Sequence, residues 1–403
     1  MTAFNYTALD KKGKRESGTL SADSLNAARR SLLSKDLSPI NIEEINNKSI
    51  FSGLTIKKIS TKSLIRVTRQ LGALLKGGLP LESSLTSIGQ ESKSNVEKEQ
   101  LLKISTLLKE GKSFSDSLRE FPQSFSRLFI SLIQAGESSG NLSSSLESLS
   151  NYLERKEKIK NEVLGALVYP LVLSIVALSI ISLLLILVVP NIVNQFSTSN
   201  QELPFLTIAL ISISNFISSY YFLSFLIITM SIFLYFRIYH QNSFTKFIDK
   251  TLLKIPYFNN LLIQADVSRF LNSMSLLRNG GIGVLDSISI STETIANAYL
   301  KEEFSSNLSK VEEGTSFAEA LKGIEFIPSL VIQMVASGER GGELEEMLLK
   351  TADYLDQEFQ QSSKIMISIL EPIIVVIMGG AIATIIIAIL LPLIQMNNLS
   401  LIN

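Results

Sequence analysis

Cysteine is absent from the 403 residues of this chain. Disulfides, zinc-thiolate centres and iron-sulfur clusters are thereby excluded. Histidine occurs once, as His240, which leaves little for histidine-based acid-base catalysis. Net charge is missing as well, because 37 lysines and arginines balance 37 aspartates and glutamates. With no whole-protein field, and no basic patch interleaved with aromatics, nucleic acid is not an expected partner. The opening MTAFNYTALDKKGKRESG has no apolar core behind a basic start, so no cleavable signal peptide is expected and the N-terminus is assigned to the cytoplasm. Charge of either sign disappears entirely between Ala166 and Pro190.

That run, ALVYPLVLSIVALSIISLLLILVVP, is long enough as a helix, about 37 Å, to cross a hydrocarbon core of about 30 Å. With 46% apolar and 18% charged residues, the composition is shifted toward a membrane protein. A second charge-free run follows Glu371, with Pro372 and Pro392 each 202 residues after Pro170 and Pro190. The duplication extends backward. Gly77-Gly78-Leu79-Pro80-Leu81 pairs with Gly280-Gly281-Ile282-Gly283-Val284, and Gly111-x-Ser113-Phe114 with Gly314-x-Ser316-Phe317, at a spacing of 203. Gly136-Glu137-x-x-Gly140-x-Leu142 pairs with Gly338-Glu339-x-x-Gly342-x-Leu344 at a spacing of 202. An internal repeat of this length is the strongest organisational signal in the chain.

The expected fold is an all-α membrane protein with two homologous cytoplasmic six-helix bundles, three transmembrane helices and a small N-terminal α+β unit. Residues 1–45 read as that unit, from the alternation of Phe4, Tyr6 and Ala8 and the helical face of Leu25, Ala28, Leu32 and Leu33. Residues 46–60 read as a linker and 61–163 as the first bundle, with helices at Val96 to Lys109, Ser113 to Glu120, Ser124 to Ala135 and from Leu142 onward. Span 1 is assigned to 164–190, an external loop to 191–215, span 2 to 216–236, the second bundle to 237–365, span 3 to 366–392 and an external tail to 393–403. Charge decides the single middle span. Arg155, Lys156, Lys158 and Lys160 precede span 1, and Arg237, Lys246, Lys250 and Lys254 follow span 2. Both basic flanks belong inside, which places both bundles in the cytoplasm and the C-terminus outside.

Most apparent chemistry dissolves on inspection. Gly136-Glu137-Ser138-Ser139-Gly140 matches a nucleophile elbow, but helices flank it and the second copy has Arg340 in place of Ser138. Gly111-Lys112-Ser113 ends like a phosphate-binding loop, yet Thr106 stands where its first glycine belongs. The Gly-Glu-x-x-Gly-x-Leu pair is expected to turn the chain at glycine, with Glu137 and Glu339 accepting free N–H groups in the first turn of the following helix; a partner contact is the other reading. Glu147 and Asn151, one helical turn apart, offer two oxygens to a calcium ion. Glu371, beside Pro372 at the membrane edge, is either a functional acid or a snorkelling one. The spans carry no chain of ionisable groups and no inverted symmetry, which disfavours a small-molecule transporter.

Taken together, Phe4-x-Tyr6-x-Ala8-Leu9-Asp10, Thr68-Arg69-Gln70-Leu71, Leu79-Pro80-Leu81-Glu82, both Gly-Glu motifs, Tyr169-Pro170 and Glu371-Pro372 resemble the general secretion pathway protein F family of bacterial type II secretion. Its relatives serve type IV pilus assembly. Gly283 departs from the proline usual there. The resemblance implies a non-enzymatic inner-membrane platform that needs no cofactor and couples a cytoplasmic ATPase, component E, to pseudopilus assembly. It also implies inner-membrane components L and M, pseudopilins, membrane lipid and further copies of the chain as partners. A type IV pilus platform is the alternative, and a small-molecule transporter a more distant one.

Overall fold

In the computed structural model the residues described are 2–9, 15–22, 25–33, 38–44, 58–188, 205–210, 212, 230 and 242–400. The chain divides into two units, Met1–Lys57 and Lys58–Asn403.

In the first unit, strands β1 (Thr2–Leu9), β2 (Arg15–Ala22) and β3 (Ser38–Glu44) form an antiparallel sheet in the order β2-β1-β3. Tyr6 stands opposite Gly18 on one side and Ile42 on the other. Helix α1 (Leu25–Leu33) lies against this sheet, and Ala8 and Leu32 are fully buried.

The second unit starts with a series of short helices: α2 (Thr61–Lys76), α3 (Leu81–Glu91), α4 (Asn95–Lys109), α5 (Phe114–Arg119) and α6 (Arg127–Ser138). Serine hydroxyls start four of them, Ser60, Ser94, Ser113 and Ser126 each accepting the N–H of the residue three positions on. Helix α6 begins three residues later than the patterning predicts, because the Ser124 hydroxyl accepts the Ile59 N–H at 3.0 Å and Ser126 takes over the capping position. Leu71, Leu85, Ile104, Phe114, Ile133 and Leu149 fill the core.

Helix α7 (Leu142–Leu183) then runs unbroken through Pro170 and ends in a π-helical turn, Leu184–Val188. Pro170 lacks the amide that a helix interior uses, but one missing bond does not end α7, which continues through apolar turns on both sides.

The second copy follows with α8 (Asn242–Leu252), α9 (Phe258–Asn279), α10 (Val284–Thr292), α11 (Ala298–Leu308), α12 (Phe317–Lys322) and α13 (Ser329–Gly341). It closes with α14 (Leu344–Ser400). Its core centres on Phe270, Phe304 and Phe317, with the Phe270 and Phe304 rings edge to face at 4.9 Å. Among the described residues the glycines with positive φ are 78, 111 and 140 in one copy and 281, 314 and 342 in the other, so the chain turns at matching places.

Among the described residues two helices are long and apolar enough to cross a membrane, Leu142–Leu187 and Leu344–Leu391. Their apolar side chains face outward, Leu178 at 63% and Val376 at 72% exposure. Leu185 and Ile385 bury each other at the far end, where Leu210 joins them and the Thr207 hydroxyl donates to the Ala388 carbonyl at 2.7 Å. The span expected at 216–236 lies, apart from Met230, outside the described residues. The residues expected to form the tail, 393–403, are helical as far as Ser400, in continuation of α14. Leu393, Ile394, Gln395 and Met396 contain no breaker, and the adaptation seen at Pro170 recurs at Pro392.

Candidate functional site

The duplicated Gly-Glu motif resolves into a clamp. Glu137 lies near the C-terminal end of α6, and its carboxylate reaches back to the start of α5. Its Oε1 accepts the Phe114 N–H at 2.6 Å, while Oε2 accepts the Ser115 N–H at 3.2 Å and the Ser115 hydroxyl at 3.0 Å. Glu339 repeats the arrangement at α12, accepting the Phe317 N–H at 2.7 Å and the Ala318 N–H at 2.9 Å. The expectation that these glutamates serve the following helix is therefore corrected. The amides they satisfy belong to a helix some twenty residues earlier in the chain, because those N-terminal donors lie beside the carboxylate once α5 and α6 fold together.

The glycines of the motif make the clamp possible. A Cβ on Gly136 would lie 2.8 Å from the Ser145 Cβ, and one on Gly338 would lie 2.9 Å from the Leu344 Cα. Close approach of α6 to α7, and of α13 to α14, leaves no room for a side chain. Gly140 and Gly342, at φ 71° and 72°, turn the chain into the long helices. Gly111-Lys112-Ser113 lies between α4 and α5, and the amides just beyond it are held by Glu137, so this loop has no phosphate cradle on that side.

A second constellation joins the copies. Arg155 on α7 forms ion pairs with Asp353 and, at 2.7 Å, with Asp356 of α14. Asp356 is mostly buried; Ser268 of α9 donates to its Oδ1, and Asn272 of α9 donates to the same Oδ2 that Arg155 holds. Tyr152 and Ser273 sit within hydrogen-bond reach at 3.3 Å, and burial pushes the Tyr152 phenol above its ordinary pKa. Nearer the far end of α6, Arg127 pairs with Glu293 at 2.7 Å. Leu277 and Ile290, both of the second copy, are buried in the core of the first. Inside the apolar stretch the Tyr169 hydroxyl donates to Glu371 at 3.2 Å. Residues 169 and 371 are equivalent positions of the repeat, so the two long helices meet there at matching points.

The family model for type II secretion system protein F matches residues 67–190 and, a second time, residues 270–392. The chain belongs to the type II secretion system protein F family. The model for that family's N-terminal domain matches residues 1–43. The type II secretion system protein F of Pseudomonas aeruginosa is 33% identical over 99% of this chain and 100% of its own length. The Vibrio cholerae protein of the same name is 32% identical over 99% of each chain. A type IV pilus assembly protein of Myxococcus xanthus is 29% identical over 97% of this chain and 94% of its own.

For this protein F family member the repeat seen in the residues is thus also the repeat of the family model. The pair proposed for calcium fits a metal poorly. The Glu147 carboxylate is 3.2 Å from the Lys76 ammonium, and among the described residues no three His, Cys, Asp or Glu side chains gather. Asn151 is exposed one turn along, far short of the six to eight oxygens calcium takes. The sequence reading used Arg155 only as a flanking charge and missed Asp353 and Asp356. One signal for them was present: in copy one Arg69 pairs with Glu154, whereas the matching positions in copy two hold Asn272 and Asp356. An acid is kept while its arginine is lost.

Proposed function

We propose that this chain is the inner-membrane platform of a type II secretion machine, which transmits work from a cytoplasmic ATPase, component E, to pseudopilus assembly. The observation that carries the reading is helical continuity. Helix α7 with its π turn, and α14, run from a packed bundle into an apolar stretch over about 70 Å and about 85 Å. In this reading three spans leave both bundles and the N-terminal unit in the cytoplasm and the C-terminus in the periplasm. The N-terminal unit acts as an adaptor toward component E or the inner-membrane components L and M, pseudopilins gather along the spans, and the platform works as a homo-oligomer. The chain itself is not an enzyme.

The test inserts a flexible Gly-Ser segment beside Glu162, between bundle and span. Secretion is expected to stop while protein level and membrane location are retained; unchanged secretion would falsify mechanical coupling. Crosslinks from Glu137, Glu339 and residues 1–45 identify the partner-facing side, and the carboxylates already held in the clamp are expected to give fewer than the N-terminal unit. A second reading, a type IV pilus platform, is supported by pilus assembly relatives aligned over nearly the whole chain. A deletion strain separates the two: lost exoprotein release supports secretion, lost twitching the pilus.

A further inference from the structure

A cleft of about 820 Å³ opens where the two copies meet, walled by α7, α9 and α14. Its charges do not cancel. Of the basic residues lining it, Arg127 is paired with Glu293, Arg155 with Asp356, Lys160 with Glu157 at 3.6 Å, and Arg269 with Asp266 at 3.1 Å. Lys58 and Lys156 also line it, and neither forms an ion pair among the described residues. The Lys156 ammonium is held below the ordinary lysine range, first by desolvation and then by repulsion from Arg269 and Lys58. The residue as a whole is open to water, so its distinguishing feature is the pair of neighbouring cations, Arg269 and Lys58. Six basic residues against three acids line the cleft, and that imbalance favours an incoming anion.

The other wall is apolar. Ile159, Val163, Leu164 and Phe359 line the same cleft, and Leu164 lies two residues before the charge-free run on α7. Beyond it Val168, Leu171, Val172 and Ile175 are exposed in sequence along that helix. A basic recess that opens onto an apolar helical surface matches the two ends of one molecule, a phosphate-bearing headgroup and its acyl chain. We propose that this cleft binds an anionic phospholipid, its phosphate held by Lys58, Lys156 and Arg269 and its acyl chain laid along α7. The proposal rests on the reading that the apolar part of α7 lies in the bilayer.

The experiment uses the full chain in a neutral detergent, titrated with phosphatidylglycerol, phosphatidylcholine or sodium phosphate and read by thermal unfolding and lipid co-purification. Phosphatidylglycerol is expected to stabilise the protein and co-purify, while the other two have no effect. Lys58→Glu with Lys156→Glu should weaken phosphatidylglycerol binding about tenfold or more. Lys93→Glu with Lys98→Glu, an equal charge change at exposed positions outside the cleft, should bind as wild type. Equal loss in both variants, no loss in either, or full displacement by sodium phosphate would overturn the lipid site. If charge reversal prevents folding, Lys58→Gln with Lys156→Gln is read instead, with about a fivefold loss expected. The native chain lacks cysteine, so Leu178→Cys probed in vesicles with an impermeant maleimide isolates the bilayer reading. Labelling there discards the bilayer placement, whereas protection there with unweakened binding in the cleft variant discards the lipid site alone.

Discussion

The two copies share a plan but not a degree of independence. In copy one, Leu74 is half-buried against its own core, and Arg69 pairs with Glu154 within the copy. At the matching places in copy two, Leu277 is fully buried in the core of copy one, and Asp356 looks to Arg155 across the junction. At Leu74 and Leu277 the side chain is the same and only its surroundings differ, whereas at Arg69 and Asn272 the residue itself has changed. The clamp at Glu137 and Glu339 stayed the same because it serves each bundle internally.

The largest effect should come from the side chain that crosses between cores. Leu277→Ala is expected to cost about 2–5 kcal/mol in denaturant unfolding, and Leu74→Ala clearly less. Equal costs would abolish the asymmetry. Next come the clamps: Glu137→Ala and Glu339→Ala should each cost about 2–3 kcal/mol, since each leaves two helix-start amides without a charged acceptor. The Glu137 variant should be slightly the worse, having also lost the Ser115 hydroxyl. A neutral result at one site alone would mean that the clamps are not equivalent. Arg155→Ala should cost about 1–3 kcal/mol, because Asp356 is left mostly buried without its cation. The exposed Arg69→Ala should cost under about 1 kcal/mol. Adding Asn272→Arg to Arg155→Ala recreates the pairing of copy one and should recover part of the loss. If thermal unfolding shows no recovery, the exchange of partners between copies is not the reason for the bridge. The smallest effect belongs to Glu147: Glu147→Ala should change stability by less than about 0.5 kcal/mol. Millimolar calcium should leave the wild-type melting temperature unchanged, and a rise that Glu147→Ala removes would restore the metal.

Much of the helical layout was legible because its punctuation has strict residue requirements. The turns after Lys76 and Lys109 need a left-handed residue at Gly78 and Gly111, so the helix ends are written in the chain. The importance of Glu137 and Glu339 was legible from their duplication, but not their task. A carboxylate adjacent to a helix junction looks like a local cap, and only the packing of α5 on α6 brings the Phe114 amide to it. The start of α6 was misjudged because two serines competed for one cap and a distant amide, that of Ile59, decided between them. The pairing of Arg155 was invisible for the same kind of reason, since its acids lie some two hundred residues further on. Periodicity reports which face of a helix is apolar, not which helix that face meets.

Arg155 on Asp356 and Tyr169 on Glu371 fasten the same two helices at points 14 residues apart on α7, about 21 Å along its axis. A rod held at one point can still spin about its own axis; held at two points to a second rod, it cannot. Two independent axial rotations are thereby replaced by one shared rotation. Under the proposed platform role, a turn of one copy's bundle is expected to carry the other copy's helix with it.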